Sequence, residues 1–141
     1  MRQIVSLGHV EAQLAIEVVR DELVRRQKLA VVAVADAQGE LIALLRLDGA
    51  PLPSTTIAAN KAFTAARERK ATLDIGQSLR HPEHGFDIAY FGDPRYIGWG
   101  GEVPVFAGGQ VVGAVAVSGL TQEEDAELAN LGIAAITRSL G

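Results

Sequence analysis

The sequence predicts an α+β domain built around a mainly antiparallel sheet. Three observations favour this class: amphipathic helical periodicity at both ends of the chain, two pairs of apolar segments that each flank a tight turn, and a further helical segment between those pairs. The chain has 141 residues, a length typical of one domain, so residues 1–141 are treated as a single unit. Hydrophobic residues make up 48% of the chain, which is enough for a globular core.

Composition and charge exclude several classes of function. The chain has no cysteine, so disulfides, thiolate catalysis and cysteine-ligated metal sites are excluded. The net charge of −4 comes without a basic stripe of the kind that nucleic-acid binding requires. No apolar run approaches the ~20 residues of a membrane span. We therefore predict a cytoplasmic protein that takes a small-molecule ligand and binds neither nucleic acid nor membranes.

The first helix is predicted to begin at Ser6 or Gly8 and to end near Arg26. Its apolar residues recur at three- and four-residue steps and form one core stripe: Ala12, Ala15, Ile16, Val19 and Leu23. A second stripe on another side of the helix consists of Val10, Leu14 and Val18. One stripe is sufficient for packing on a core, so the second predicts an additional contact.

An antiparallel hairpin is predicted next. Residues 29–34 and 40–47 are apolar and rich in β-branched side chains, and residues 36–39 between them form a turn that ends in Gly39. The first strand is apolar almost throughout, so it is predicted to be central and covered on both faces.

The middle of the chain is predicted to be a helix followed by an irregular segment. Ser54 is predicted to cap a helix over residues 55–70. Its inward face is mostly small, which permits close packing, and consists of Ile57, Ala58, Ala62, Ala65 and Ala66. A short helix over 72–79 precedes a stretch rich in glycine, proline and aromatic residues. Long irregular segments in compact domains are often functional.

The C-terminal part is predicted to be a second hairpin and a last helix. The strands are 103–106 and 111–117, and the spacing of Thr121 and Glu124 is that of a capping box. The core stripe of this helix consists of Ala126, Ala129, Ile133, Ile136 and Leu140. A second apolar stripe consists of Leu128, Leu131 and Ala135. Second stripes on both terminal helices predict a homo-oligomer.

Three groups of motifs together resemble the GlcG/HbpS family, which includes the C-terminal domain of PduO-type proteins. The first group is the first hairpin, residues 32–41 with 46–50, and the second is residues 60–66 of the middle helix. The third group consists of residues 100–105, 113–119 and 122–125. The resemblance spans roughly residues 10–137. It implies a profilin-like fold with a five-stranded antiparallel sheet and helices on its faces, assembly into dimers or rings, and haem or iron binding in some members. Family members usually have a third glycine where this chain has Glu102. A carboxylate at this position is therefore expected to change the ligand preference relative to those members.

Several residues are candidates for ligand binding. Lys61 lies at the edge of the apolar face of the middle helix, where its ammonium could pair with a carboxylate or a haem propionate; alternatively, its stem covers apolar surface. The run containing Tyr96, Trp99, Gly100 and Gly101 combines aromatic faces with bare backbone, which suits a flat ligand or a tight strand crossing. Acidic ligand groups could also pair with arginines, for which the candidates are Arg46 and Arg95.

His81 and His84 are candidate metal ligands or axial haem ligands, because they lie three residues apart. Pro82 disfavours a regular helix through them, and a third ligand would have to be an acidic neighbour, namely Asp74, Glu83 or Asp87. The alternative is a pair of exposed loop histidines.

The leading hypothesis is a binder of haem or another flat, anionic molecule in a catabolic or redox-stress context. Its site is predicted between the middle helix and residues 81–102. The alternative is a small catabolic enzyme acting on a carboxylated or aromatic metabolite, with Lys61 orienting the substrate and Glu102 or a histidine moving a proton. A third reading is a partner protein that acts through the second helix stripes.

Overall fold

A computed structural model describes all residues 1–141 and confirms the α+β class. The elements, with a short 3₁₀ helix among them, follow in the order α1 (His9–Arg26), β1 (Val31–Asp36), β2 (Leu41–Arg46), α2 (Ser54–Glu68), α3 (Thr72–Leu79), the 3₁₀ helix (Ile88–Phe91), β3 (Glu102–Ala107), β4 (Gln110–Ser118) and α4 (Gln122–Ser139). None of the four α-helices has both the length and the apolar character that crossing a membrane requires.

The sheet has four strands in the order β2-β1-β4-β3, and every neighbouring pair is antiparallel. The prediction of five strands is therefore wrong. The segment of residues 95–100 precedes β3 and does not form a strand. Backbone N–H groups in it donate hydrogen bonds to side chains instead of to a neighbouring strand. The Thr64 hydroxyl accepts a hydrogen bond from the Ile97 N–H at 3.0 Å, and the Gly100 N–H donates to Gln122 Oε1 at 3.1 Å.

Both hairpins form as predicted, and each turn has a local cause. In the first, Asp36 Oδ1 accepts hydrogen bonds from the Gln38 and Glu40 N–H groups at 2.9 and 3.0 Å. In the second, Gly108 and Gly109 have φ values of 57° and 77°, the left-handed pair that a two-residue type I′ turn requires. The second turn connects the strands whose register places Glu102 opposite Ala116. The separate pairing of β1 with β4 places Val31 opposite Ser118.

The sheet lies between two helical layers, with α1 and α4 on one face and α2 on the other. Strand β1 is buried on both faces, as predicted. Val32 and Val34 face the larger core beneath α1 and α4, whereas Val31 and Ala33 pack against the small residues of α2. Small side chains on α2 bring this helix close to the sheet, so its polar residues near the end of β4 become buried as well.

The core stripe of α1 is confirmed, but the two stripes predicted for α4 are not separate. Leu128 and Ala135, assigned to the second stripe, are buried with Ala129 and Ile136, whereas Leu140 is half-exposed. Gly132 lies so close to Val19 that an added Cβ would be 3.2 Å from its Cγ2, which lets α4 bury a broad face. The spare apolar surface on α4 is therefore smaller than expected, and the homo-oligomer remains a prediction.

Two predicted helix caps differ from the structure. Ser54 is the first residue of α2 and is buried, and its predecessor Pro53 occupies the cap position without a side-chain hydrogen bond. Thr121 does cap α4 by accepting a hydrogen bond from the Glu124 N–H at 3.2 Å. The Glu124 carboxylate lies 3.8 Å from Lys28 Nζ, and only the hydroxyl half of the predicted capping box is seen.

Candidate functional site

A cavity of about 310 Å³ lies where the N-terminal ends of α2 and α4 meet the end of β4. Ser54 is the first residue of α2, Gln122 is the first residue of α4, and Ser118 is the last residue of β4. The walls are formed by Pro51, Ser54, Lys61, Trp99, Gly100, Ser118, Gly119, Leu120, Gln122 and Asp125. Of the predicted site residues, the structure brings Lys61, Trp99 and Gly100 together in this one cavity.

Lys61 is the cation of the cavity and is almost completely buried, with 3% of its surface exposed. Its position on α2 points the side chain toward the end of β4, where Nζ donates a hydrogen bond to the Val117 carbonyl at 3.2 Å. Nζ also lies 3.5 Å from Asp125 Oδ2. Lys61, which the sequence places at the edge of the apolar face of the middle helix, thus borders the cavity, and its ammonium lies deeper than a solvent-exposed rim.

Asp125 is the anionic partner of Lys61, and it is not among the site residues that the sequence predicts. It lies in the first turn of α4, is 2% exposed, and accepts a hydrogen bond from the Leu120 N–H at 3.2 Å through Oδ1. Burial raises the pKa of this carboxyl, and the positive charge of Lys61 opposes that effect. In the sequence, Asp125 follows Glu123 and Glu124 and is typical of the acidic first turn of a helix.

Glu102 is the third ionisable group of the cluster. It is the first residue of β3 and is 1% exposed; Oε1 accepts a hydrogen bond from the Thr72 N–H at 2.5 Å, while Oε2 has no hydrogen-bond partner. Burial raises the pKa of Glu102 to about 9, against the opposing effects of the Lys61 charge and the Thr72 N–H. At neutral pH Glu102 is therefore an uncharged acid. It lies behind the cavity wall and does not border the cavity.

Glu102 makes the stability of the protein depend on pH. From pH 4.5 to about 9, the folded protein retains a proton that the unfolded chain releases, so stability falls as the pH rises through this window. The isosteric Glu102→Gln variant has no such proton. We expect the melting temperature of the wild type to fall relative to that of Glu102→Gln as the pH increases, with thermal unfolding followed by circular dichroism.

The matched control for this measurement is Glu123→Gln, because Glu123 is an exposed carboxylate on α4. Its melting curve should keep a constant offset from the wild-type curve across the same pH range. Parallel pH profiles for the wild type and Glu102→Gln would contradict the assigned proton.

Close approach requires a glycine at position 101, beside the cavity. Gly101 has a φ of 119°, and an added Cβ would lie 2.7 Å from both Lys61 Nζ and Asp125 Cβ. Gly100 precedes it and donates its N–H to Gln122 Oε1. Trp99 borders the cavity with 54% of its surface exposed, so its ring is accessible to a ligand. Gly101 therefore makes room for the ion pair, and the indole of Trp99 offers a flat surface at the entrance.

Arg95 and Tyr96 belong to a different cluster, which surrounds Phe63. The Arg95 guanidinium lies 3.9 Å from the centre of the Phe63 ring and pairs with Glu40 at 3.2 Å and with Asp93 at 3.0 Å. The Tyr96 ring meets the Phe63 ring edge-on at 5.0 Å. These groups hold residues 93–97 against α2, and neither Arg95 nor Tyr96 borders the cavity.

Arg46 also lies outside the cavity wall, as an exposed residue at the end of the edge strand β2. It is paired in register with Val31, which itself lies opposite Ser118. The structure thus leaves Arg46 at the same end of the sheet as the cavity, two strands away from its wall.

His81 and His84 lie in an exposed turn, with their rings stacked at 4.8 Å. His81 Nδ1 accepts hydrogen bonds from the Glu83 and His84 N–H groups at 3.1 and 3.0 Å, so this nitrogen is occupied by the turn itself. No cluster of three or more potential metal ligands is present in the structure, around this pair or elsewhere. A metal role for the two histidines remains a prediction without a third ligand.

Comparisons with known proteins agree with this fold. A family model described as "Haem degrading protein HbpS-like" matches residues 7–134. The chain is 33% identical to Protein GlcG of Escherichia coli K12 over 118 residues, covering 84% of this chain and 85% of GlcG. It superposes on Klebsiella pneumoniae protein ORFY with a TM-score of 0.91 and 28% identity, covering 97% and 94% of the two chains. The PduOC–haem complex gives a TM-score of 0.84 at 24% identity, covering 93% and 95%.

Proposed function

The chain belongs to the HbpS-like family, and on that premise we propose that it binds haem or another flat, anionic small molecule in the cavity beside Lys61. PduOC, a domain of the same fold, forms a complex with haem, and the family model is described as haem-degrading. Both facts support a ligand of this class. The catabolic or redox-stress setting is part of the same proposal.

One observation carries the proposal: a buried ammonium and an exposed indole border the same cavity. Lys61 Nζ has three N–H donors, of which one is directed to the Val117 carbonyl at 3.2 Å and a second to Asp125 Oδ2 at 3.5 Å. A ligand carboxylate can accept from the third donor in a site where little water screens the charge. Trp99 can stack on a flat ring system that carries this carboxylate.

The residues present fit the acidic edge of haem. A propionate would reach Lys61, and the porphyrin face would extend outward along Trp99, since a cavity of about 310 Å³ holds only part of a porphyrin. Haem bound here would supply its iron and its ring chemistry. None of the residues that border the cavity is a histidine, methionine, tyrosine or cysteine, so the wall itself offers no customary axial ligand.

The enzyme alternative is favoured by the uncharged Glu102 beside Lys61, because a protonated carboxyl is a potential general acid. Direct proton transfer requires hydrogen-bond reach, however, and Glu102 lies behind the cavity wall with Oε1 engaged by Thr72. The geometry therefore supports binding over catalysis.

Haemin titration tests the proposal, because Trp99 is the single tryptophan of the chain and reports on the cavity directly. We expect quenching of Trp99 fluorescence together with a Soret shift. The double variant Lys61→Met/Asp125→Asn removes the ammonium without leaving an unpaired carboxylate. It should bind about 10- to 100-fold more weakly, the value of a charge-assisted hydrogen bond of roughly 1.5–3 kcal/mol.

Asp125→Asn alone is the matched control, since it keeps the ammonium and should still bind. His81→Ala/His84→Ala should also bind if the cavity is the site. Haemin binding that survives loss of Lys61 but disappears in the histidine variant would place the site elsewhere. An absence of quenching and of any Soret shift in the wild type would remove haem as the ligand.

A further inference from the structure

The cluster at the inner side of the cavity contains one cation and two carboxyl groups, namely Lys61, Asp125 and Glu102, and all three are almost completely buried. Lys61 and Asp125 border the cavity, whereas Glu102 lies behind it with Oε2 unpartnered. The charge of Lys61 is thus already matched by Asp125 before any ligand enters. An anionic ligand would add a second negative charge beside a single ammonium.

Net charge in a buried site is costly, because desolvation of an ion is only offset by an opposite charge and by hydrogen bonds. If a ligand carboxylate bound Lys61 and both carboxyl groups kept their charge state, the cluster would carry one uncompensated negative charge. Uptake of one proton from solvent by a cluster carboxyl restores neutrality. Asp125 is the carboxylate available for this proton.

Resting on the proposed function, we propose that Asp125 is a further binding-site residue. It makes the site take up each ligand carboxylate together with one proton, which a carboxyl group of the cluster holds. The site therefore selects ligands that present one carboxylate to Lys61, and it binds them as the equivalent of the neutral acid. The raised pKa values of both carboxyl groups are consistent with a cluster that already favours protons.

The charged groups around the cluster leave this conclusion unchanged. From α4, Glu124 raises the pKa of Asp125 by repulsion, and the Glu124 carboxylate itself lies 3.8 Å from Lys28 Nζ. From α2 the ionisable group is Lys61, and from β3 it is Glu102. No histidine figures among the causes of either pKa shift, so the proton must be held by a carboxyl group.

Isothermal titration calorimetry measures the proton directly. The probes are haemin and 2-naphthoate, a flat aromatic monocarboxylate, each titrated near pH 7.5 in phosphate and in Tris, whose ionisation enthalpies differ. The wild type should take up about one proton per bound carboxylate, and Kd should rise about tenfold per pH unit above neutrality. The uncharged 2-naphthamide should bind without proton uptake.

The double variant Asp125→Asn/Glu102→Gln should bind 2-naphthoate with no proton uptake and with a Kd that does not change with pH. Glu124→Gln, on the same helix, should take up the proton as the wild type does. Ligand binding by the wild type without proton uptake, or uptake that persists in the double variant, would overturn the inference while leaving the proposed function intact. Failure of the wild type to bind either probe would instead refute the proposed function and the inference with it.

Discussion

Replacing Lys61 with methionine alone is expected to lower the free energy of unfolding by about 3–5 kcal/mol at neutral pH, the cost of leaving a buried carboxylate without its partner. Lys61 Nζ lies 3.5 Å from Asp125 Oδ2, and both side chains are almost completely buried. Methionine keeps most of the apolar stem, so the loss comes from the charge rather than from packing. Urea unfolding followed by circular dichroism measures the change.

Two further variants isolate the ion pair. Adding Asp125→Asn to Lys61→Met should restore most of the lost stability, because no uncompensated charge then remains in the cluster. Lys28→Met removes a half-exposed lysine that lies 3.8 Å from a carboxylate, and it should change stability by less than about 1 kcal/mol. If Lys61→Met were as mild as Lys28→Met, the buried pair would have no structural role.

Replacing Phe63 with alanine is expected to destabilise the fold by about 3–5 kcal/mol, the usual cost of removing a buried aromatic ring. Phe63 is 1% exposed, and its ring contacts the Tyr96 ring and lies beneath the guanidinium groups of Arg67 and Arg95. The variant therefore removes a core side chain and the anchor of residues 93–97 at once.

Phe106→Ala is the matched control, because Phe106 is the same residue type at 53% exposure. We expect that variant to stay within about 1 kcal/mol of the wild type, since surface substitutions have small effects. Chemical denaturation gives both values, and Trp99 fluorescence shows whether loosening of the anchored segment reaches the cavity. Equal effects at the two phenylalanines would contradict the central position of Phe63.

Local patterns were sufficient to predict the helices and the two hairpins in their order along the chain. The three- and four-residue spacing in α1, the two turns with glycine at left-handed positions, and the hydroxyl cap at Thr121 each depend on residues close together in the sequence. These signals survive folding because they specify backbone geometry directly. The fifth strand was implied by the family resemblance and not by a local pattern, and it is absent. In the segment before β3, the backbone N–H groups of Ile97 and Gly100 are instead bound by Thr64 and Gln122 from distant helices.

The candidate site was predicted only in part, because some of its residues come together from elements that are distant in the sequence. Lys61 was predicted as a binding residue because it lies at the edge of the apolar face of α2 and not on the polar side. Trp99 and Gly100 were predicted because an aromatic face beside bare backbone suits a flat ligand. Arg95 also has the right chemistry, but it is held by Phe63, Asp93 and Glu40 in a separate cluster. Periodicity shows which side of an element is apolar, and it does not show which charged group on another element will face it.

The sequence by itself determined the α+β class, the two hairpins, the helical periods and the small inward face of α2, because short-range sterics and hydrophobic spacing control all of these. Only the tertiary structure decided that Lys61, Glu102 and Asp125 form one cluster. These residues lie on α2, β3 and α4, and desolvation acts on them together only after the three elements have packed. A carboxylate at a helix start becomes the buried partner of a distant ammonium because Gly101 leaves room between them.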